Sequence, residues 1–252
     1  MNPAVLDISI LGPALLAGLL VLATHVPLGR EVLARGIIFI DLAVAQVAMV
    51  GVIAARTFAQ DLGTFGVQAS ALAAALLAAW LLHHTDRRWP AIQEALIGTL
   101  FVLAASVGVL LLAGNPHGGE YLKEMLVGQI LWVTPSALAV TAAAYAAVLA
   151  LWFGLRARLG AAGFYLLFAV SVTASVQLVG IYLVFASLIL PALAVRRLGA
   201  RRGLVWGYIT GVAGYAAGIL LSAVTDLPTG AVTVCTLALA AMAATVKKIS
   251  DF

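Results

Sequence analysis

The chain reads as long apolar runs broken by short polar punctuation. Nine runs stand out: Ile10–Pro27, Ile37–Ala55, Gly66–Leu82, Ala95–Ala113, Ser136–Leu155, Phe164–Gln177, Val179–Val195, Leu204–Val224 and Gly230–Val246. A helix needs about 20 apolar residues to cross a bilayer, so the pattern predicts about eight to nine membrane-spanning helices. The sixth and seventh runs are short and meet at Gln177–Gly180. They form two short helices or one interrupted hairpin. Such interruptions often mark a transporter's path, although a plain kinked pair gives the same pattern.

Composition removes the competing classes. Apolar residues make up 64% of the 252 and charged ones only 10%, with mean hydropathy +1.13. Soluble domains carry about 25% charged residues, and so few charges could not cover a soluble surface of this size. Disorder, coiled coil and nucleic-acid binding each require more charge. The fold class is therefore all-α, a polytopic membrane helix bundle, with residues 1–252 as one integral membrane domain. No linker, low-complexity tract or soluble domain interrupts it. The segment Met1 to Gly12 lacks a basic stretch and contains Asp7, so it does not read as a cleavable signal peptide. The single Cys235 excludes an internal disulfide and a cysteine-based zinc site. It reads as a small packing residue.

The net charge of +4 acquires meaning through topology. With the N-terminus outside, Arg30, Arg35, Arg87, Arg88, Arg156, Arg158, Arg196, Arg197, Arg201, Arg202, Lys247 and Lys248 all fall inside. Only Arg56 and Lys123 fall outside. Twelve against two is the positive-inside bias of an odd number of crossings, which predicts nine segments, N-out and C-in. The longest polar stretch, Asn115 to Gln129, then lies outside. No GxxxxGK[ST] phosphate loop is present. Any energy for transport comes from an ion gradient or from another chain.

Few residues could carry chemistry. Asp41 lies one turn into the second run, where a carboxylate at membrane depth costs a few kcal/mol or more and usually faces a cavity or a partner. The bland reading places it at the interface, paired with Arg35 or a helix terminus. Gln46, five residues on, lies about 140° around the helix, while Ala45 and Ala48 leave space beside Asp41. Glu94 reads as an acid complementing the start of the fourth helix. His117 and Glu120, in NPHGGEYLKE, suit an outer metal contact, with Glu124 one turn on, but form an incomplete ligand set. His83 and His84 look like a solvated helix end, and His25 like an interfacial side chain. Gly207, Gly211, Gly214 and Gly218 give two GxxxG spacings, a signal of close packing within the chain or between copies.

Five phrases, in order, resemble the permease subunits of the bacterial metal-uptake ABC transporters, the ABC-3 family that imports zinc, manganese or iron. They are EVLARGIIFIDLAVAQVAMVG, EALIGTLFVLAASVGVLLL, YLKEMLVGQILWVT, VQLVGIYLVFASLILPALAVRRL and DLPTGA. The resemblance implies two permease copies forming the pathway, two cytoplasmic ABC ATPases driving it and an extracytoplasmic binding protein delivering the metal. It implies a bacterial cytoplasmic membrane location, alternating access, no covalent chemistry and no cofactor of its own. It places the ATPase-coupling loop at Ala192–Gly203, after Pro191, with Arg196, Arg197, Arg201 and Arg202 as contacts; proline cannot continue a regular helix without a break or kink, so a change of direction is expected near Pro191. It also implicates an Asp and a His four residues apart on the second helix. Aligned on Arg35 and Gly51, those positions are Leu42 and Gln46, with Asp41 one place early. Asp41 and Gln46 are the substrate-pathway candidates. The alternative is an ion-coupled secondary transporter using Asp41 as an intramembrane ion or proton site. A membrane enzyme finds no motif: HExxH, GxSxG and paired intramembrane acids are absent.

Overall fold

The computed structural model describes residues 8–59 and 61–249, and among them only helices and turns occur. The helices are α1 (Ile8–Arg35), α2 (Ile40–Phe58), α3 (Thr64–Arg88), α4 (Gln93–Leu112), α5 (Gly118–Val127), α6 (Pro135–Val179), α7 (Ile181–Ala194), α8 (Ala200–Thr225) and α9 (Thr229–Ile249). Helix α6 contains two spans, Pro135–Leu155 and Gly160–Val179. These fold back on one another at Gly160 (φ 57°), since Tyr145 of the first span bonds to Ser171 of the second. Counted this way, seven helices among the described residues are long and apolar enough to cross a membrane, and Ile181–Ala194 and Thr229–Thr245 are shorter apolar helices. The polytopic helical bundle expected from the sequence is present.

The sixth run is not short: it extends from Gly160 to Val179. Only α7 is short, 14 residues, or about 21 Å at 1.5 Å per residue. The break is a single residue, Gly180 (φ 80°). The chain reverses there, because both flanking helices lead to the foot of α1: Arg35 stacks on Phe164, and Arg30 bonds to Leu198. Gly128 (φ 74°) packs backbone to backbone on Gly180, and a Cβ on Gly128 would fall 2.6 Å from the Gly180 nitrogen. Only glycine tolerates both the left-handed φ and that approach.

Gly207, Gly211, Gly214 and Gly218 of α8 face inward in two pairs. Gly207 and Gly211 lie against Val26 and Leu22 of α1, while Gly214 and Gly218 lie against Leu237 and Thr233 of α9. Their small size lets α8 seat between two helices of the same chain, which settles the choice between internal packing and packing of copies. Helix α2 is buried along most of its length, against α3 and α4. Its central place brings Asp41 into the interior. Two polar ends result. Phe39, Glu94, Arg30 and Leu198 share one, and Arg56, Tyr121, Gly128 and Gly180 share the other.

Candidate functional site

The interior holds a connected polar group built from α1 and both spans of α6. His25 is fully buried, so the interfacial reading of this side chain is corrected. Its Nδ1 lies 2.9 Å from the Val21 carbonyl. A carbonyl only accepts, so that nitrogen carries the proton, and Nε2 is left to accept from Ser175 Oγ at 3.2 Å. The Tyr145 hydroxyl hydrogen-bonds to Ser175 Oγ and lies 3.2 Å from the Ser171 carbonyl. Ser175 Oγ also lies 2.7 Å from the Ser171 carbonyl, so Tyr145, Ser175, the Ser171 carbonyl and His25 form one shared hydrogen-bond network. Burial explains the pairing, because a polar group in an apolar interior without a partner costs several kcal/mol. A second pair, Ser187 and Tyr215, joins α7 to α8 at 2.7 Å.

Asp41 lies on the second residue of α2 with no exposed surface. Neither carboxylate oxygen has a hydrogen-bond partner. Arg35, which the sequence offered as its partner, bonds instead to Glu31 at 2.9 Å and stacks on Phe164 at 4.3 Å. Asp41 is in electrostatic reach of Tyr145. Gln46 is 4% exposed and its Oε1 is likewise unpartnered. Leu42, at the aligned Asp position, is half-buried. Both candidates thus point into their own chain, and the two orphaned groups are separated around α2 as the helical spacing requires.

The remaining candidates are scattered. His117 Nδ1 lies 3.4 Å from Glu120 Oε2, with both side chains 82% exposed, and among the described residues no three His, Cys, Asp or Glu side chains cluster. Glu94 does not cap its own helix: it accepts from the Phe39 backbone N–H at 3.2 Å, just ahead of α2. Cys235 is exposed rather than packed. At the end bearing α5, Arg56, Gln68, Tyr121, Glu124, Gln129 and Gln177 line an open cavity of about 580 Å³. Nothing in the spacing of these residues predicted their meeting.

The loop after α7 differs from expectation in one respect. Helix α7 runs through Pro191 to Ala194, so the change of direction comes four residues late. Proline removes one backbone donor, but Pro191 sits so near the helix end that the last turn still forms. The loop is Val195–Gly199, with Arg201 and Arg202 on the first turn of α8, and all four arginines are exposed. Arg30 of α1 anchors it, donating to the carbonyls of Ala200 at 2.5 Å and Leu198 at 3.2 Å. A Cβ on Gly203 would meet that guanidinium at 2.6 Å. No local pattern signals this role of Arg30, because its partners lie 168 and 170 residues away.

Helices of this length around a sealed polar interior define a polytopic helical membrane protein. The chain belongs to the ABC 3 transport family, which it matches over residues 7–164 and 148–248. This is the family its sequence phrases resemble. Its fold is similar to that of PsaBC from Streptococcus pneumoniae, solved in complex with Fab, with TM-score 0.74 and 22% identity over 97% of this chain and 95% of that one. It is also similar to an inward-facing structure described as of the metal-chelate ABC transporter type, with TM-score 0.70 and 16% identity over 93% and 85%. Among curated proteins none matches.

Proposed function

We propose that this chain is the membrane-spanning subunit of an ATP-driven importer for a divalent metal ion (zinc, manganese or iron) in the bacterial cytoplasmic membrane. Membership of the ABC 3 transport family carries the reading. The likeness to a metal-chelate transporter type and to PsaBC agrees with it. Two copies enclose the pathway, a cytoplasmic ATPase drives alternating access, and an extracytoplasmic binding protein delivers the ion. Family membership weighs against the ion-coupled secondary carrier.

The residues are given roles as follows. The cavity around Arg56 and Glu124 is the outer mouth. Asp41 and Gln46 serve the pathway, because unpartnered buried carboxylates in membrane helices mark ion routes. Both are buried inside one chain, so an ion reaches them only when the helices packed around α2 move. The exposed arginines of Val195–Arg202, held by Arg30, dock on acidic groups of the ATPase, with guanidinium forks suited to carboxylates. His117 and Glu120, exposed and only paired with each other, make at most a delivery contact on the outer face.

The test is metal content of cells with and without the protein, across several metals. One divalent metal should fall on deletion and return only when an active ATPase partner is present. Unchanged metal content, or uptake that persists without the ATPase, overturns the reading. Orientation is tested separately by labelling single cysteines at Gly199 and Gly119 from one side of the membrane: labelling of both would sink the N-out, C-in arrangement. Arg197→Glu with Arg201→Glu should release the ATPase while the permease stays folded in the membrane. Co-purification and import at the normal rate in that variant reject the docking role.

A further inference from the structure

The last three turns of α3 carry a feature that transport does not use. Leu77, Trp80, Leu81, His84 and Arg88 fall at spacings of three, four, seven and eleven, on one face of the helix. The first three are lipid-facing, Leu77 and Trp80 each 64% exposed. Where the apolar stripe ends, His84, Arg87, Arg88 and Trp89 line a cavity of about 580 Å³ that no acidic side chain enters. Asp86, the nearest acid in sequence, turns away to the Tyr165 hydroxyl.

The aromatic groups hold the polar side chains of this cavity in place. Trp80 stacks on His84 with centroids 6.0 Å apart and planes 18° apart. The Arg88 guanidinium lies 5.9 Å from the centre of the Trp89 ring. A stacked guanidinium keeps its edge N–H groups free for oxygen acceptors. The carbonyl end of α3 offsets only about half a positive charge, so two arginines leave net positive potential in the cavity. Tryptophan and arginine at this level are the residues of a membrane–water boundary.

From this arrangement we infer that the α3 terminus is a binding site for an anionic glycerophospholipid, its phosphate in the His84–Arg87–Arg88 cavity and its acyl chains along Leu77, Trp80 and Leu81. Topological retention of positive charge accounts for the arginines alone. It accounts for neither the cavity nor the lipid-exposed tryptophan beside it. A soluble partner such as an ATPase would leave Trp80 and Leu77 in contact with hydrocarbon unused. A diacyl lipid uses both halves of the site.

The experiment is native mass spectrometry of the full-length protein in detergent, titrated with dioleoylphosphatidylglycerol and, separately, dioleoylphosphatidylcholine. The wild type should bind the anionic lipid at least tenfold more tightly, and millimolar inorganic phosphate should not displace it. Arg87→Gln with Arg88→Gln should weaken that binding by about five-fold per arginine, roughly 25-fold together. Equal binding of both lipids, or an unchanged affinity in the variant, overturns the proposal. Displacement by phosphate alone reassigns the cavity to a free anion. Loss of ATPase co-purification with lipid binding intact reassigns it to the ATPase. If the double variant does not fold, a photoactivatable phosphatidylglycerol on the wild type decides: adducts within residues 77–92 support the site, and adducts only elsewhere reject it.

Discussion

Two regions of this protein hold a histidine and a carboxylate, and packing gives them opposite characters. At the start of α5, His117 and Glu120 sit three residues apart, meet at 3.4 Å and remain 82% exposed. In the bundle centre, His25 and Asp41 lie on different helices and are fully buried. The exposed pair resembles a metal site in sequence, yet its contact is screened by water and contributes about 0–1 kcal/mol. The buried groups look isolated in sequence, yet one is fully hydrogen-bonded and the other has no partner at all. Proximity in sequence is a poor guide to chemistry here, because desolvation decides what a polar group does.

The sharpest test of that contrast is Asp41→Asn, which keeps size and removes the unpartnered carboxyl group. Metal accumulation should fall roughly 10–100-fold, while folded yield and ATPase association persist. Doubly changing His117→Ala and Glu120→Gln should leave uptake within about two-fold. The reverse outcome would move the functional site to the outer face. Next in size is His25→Ala, which empties a sealed site and removes one of the hydrogen-bond partners of Ser175. A loss of about 2–4 kcal/mol is expected in detergent unfolding, against less than about 0.5 kcal/mol for His117→Ala.

Smaller effects test how the buried group is connected. Tyr145→Phe removes only the hydroxyl that joins the two spans of α6 through Ser171 and Ser175. It should cost about 1–2 kcal/mol and read as a lower melting temperature; no change would show that the two spans hold together by apolar packing alone. Arg30→Ala is the weakest. Its carbonyl partners lie at the bundle surface, so a loss near 1 kcal/mol is expected. The readout is faster protease cleavage in Val195–Gly199, and an unaltered cleavage rate would argue against the anchor.

Much of the architecture was legible along the chain. Long apolar runs admit few solutions in a bilayer, because every backbone polar group must be satisfied within the segment. The nine runs accordingly reappear in the structure as α1–α4, the two spans of α6, and α7–α9. Boundaries moved where local rules compete with packing. Pro191 did not end α7, since so few residues follow it in the helix. The polar Asn115–Gln129 stretch contains a helix of its own, α5, over Gly118–Val127.

What the sequence determined was the class of protein and the number of apolar runs, because hydrophobic length and charge placement are properties of one segment at a time. What only the tertiary structure decided was the fate of each polar group. Glu94 serves the start of α2 rather than its own helix, Arg35 turns to Glu31 and Phe164, and Arg30 fastens a loop about 170 residues distant. Asp41 is left alone in the interior. Each outcome depends on which helices become neighbours. That is set by the mutual fit of whole faces, such as the glycines of α8 seated between α1 and α9, and no local pattern encodes it.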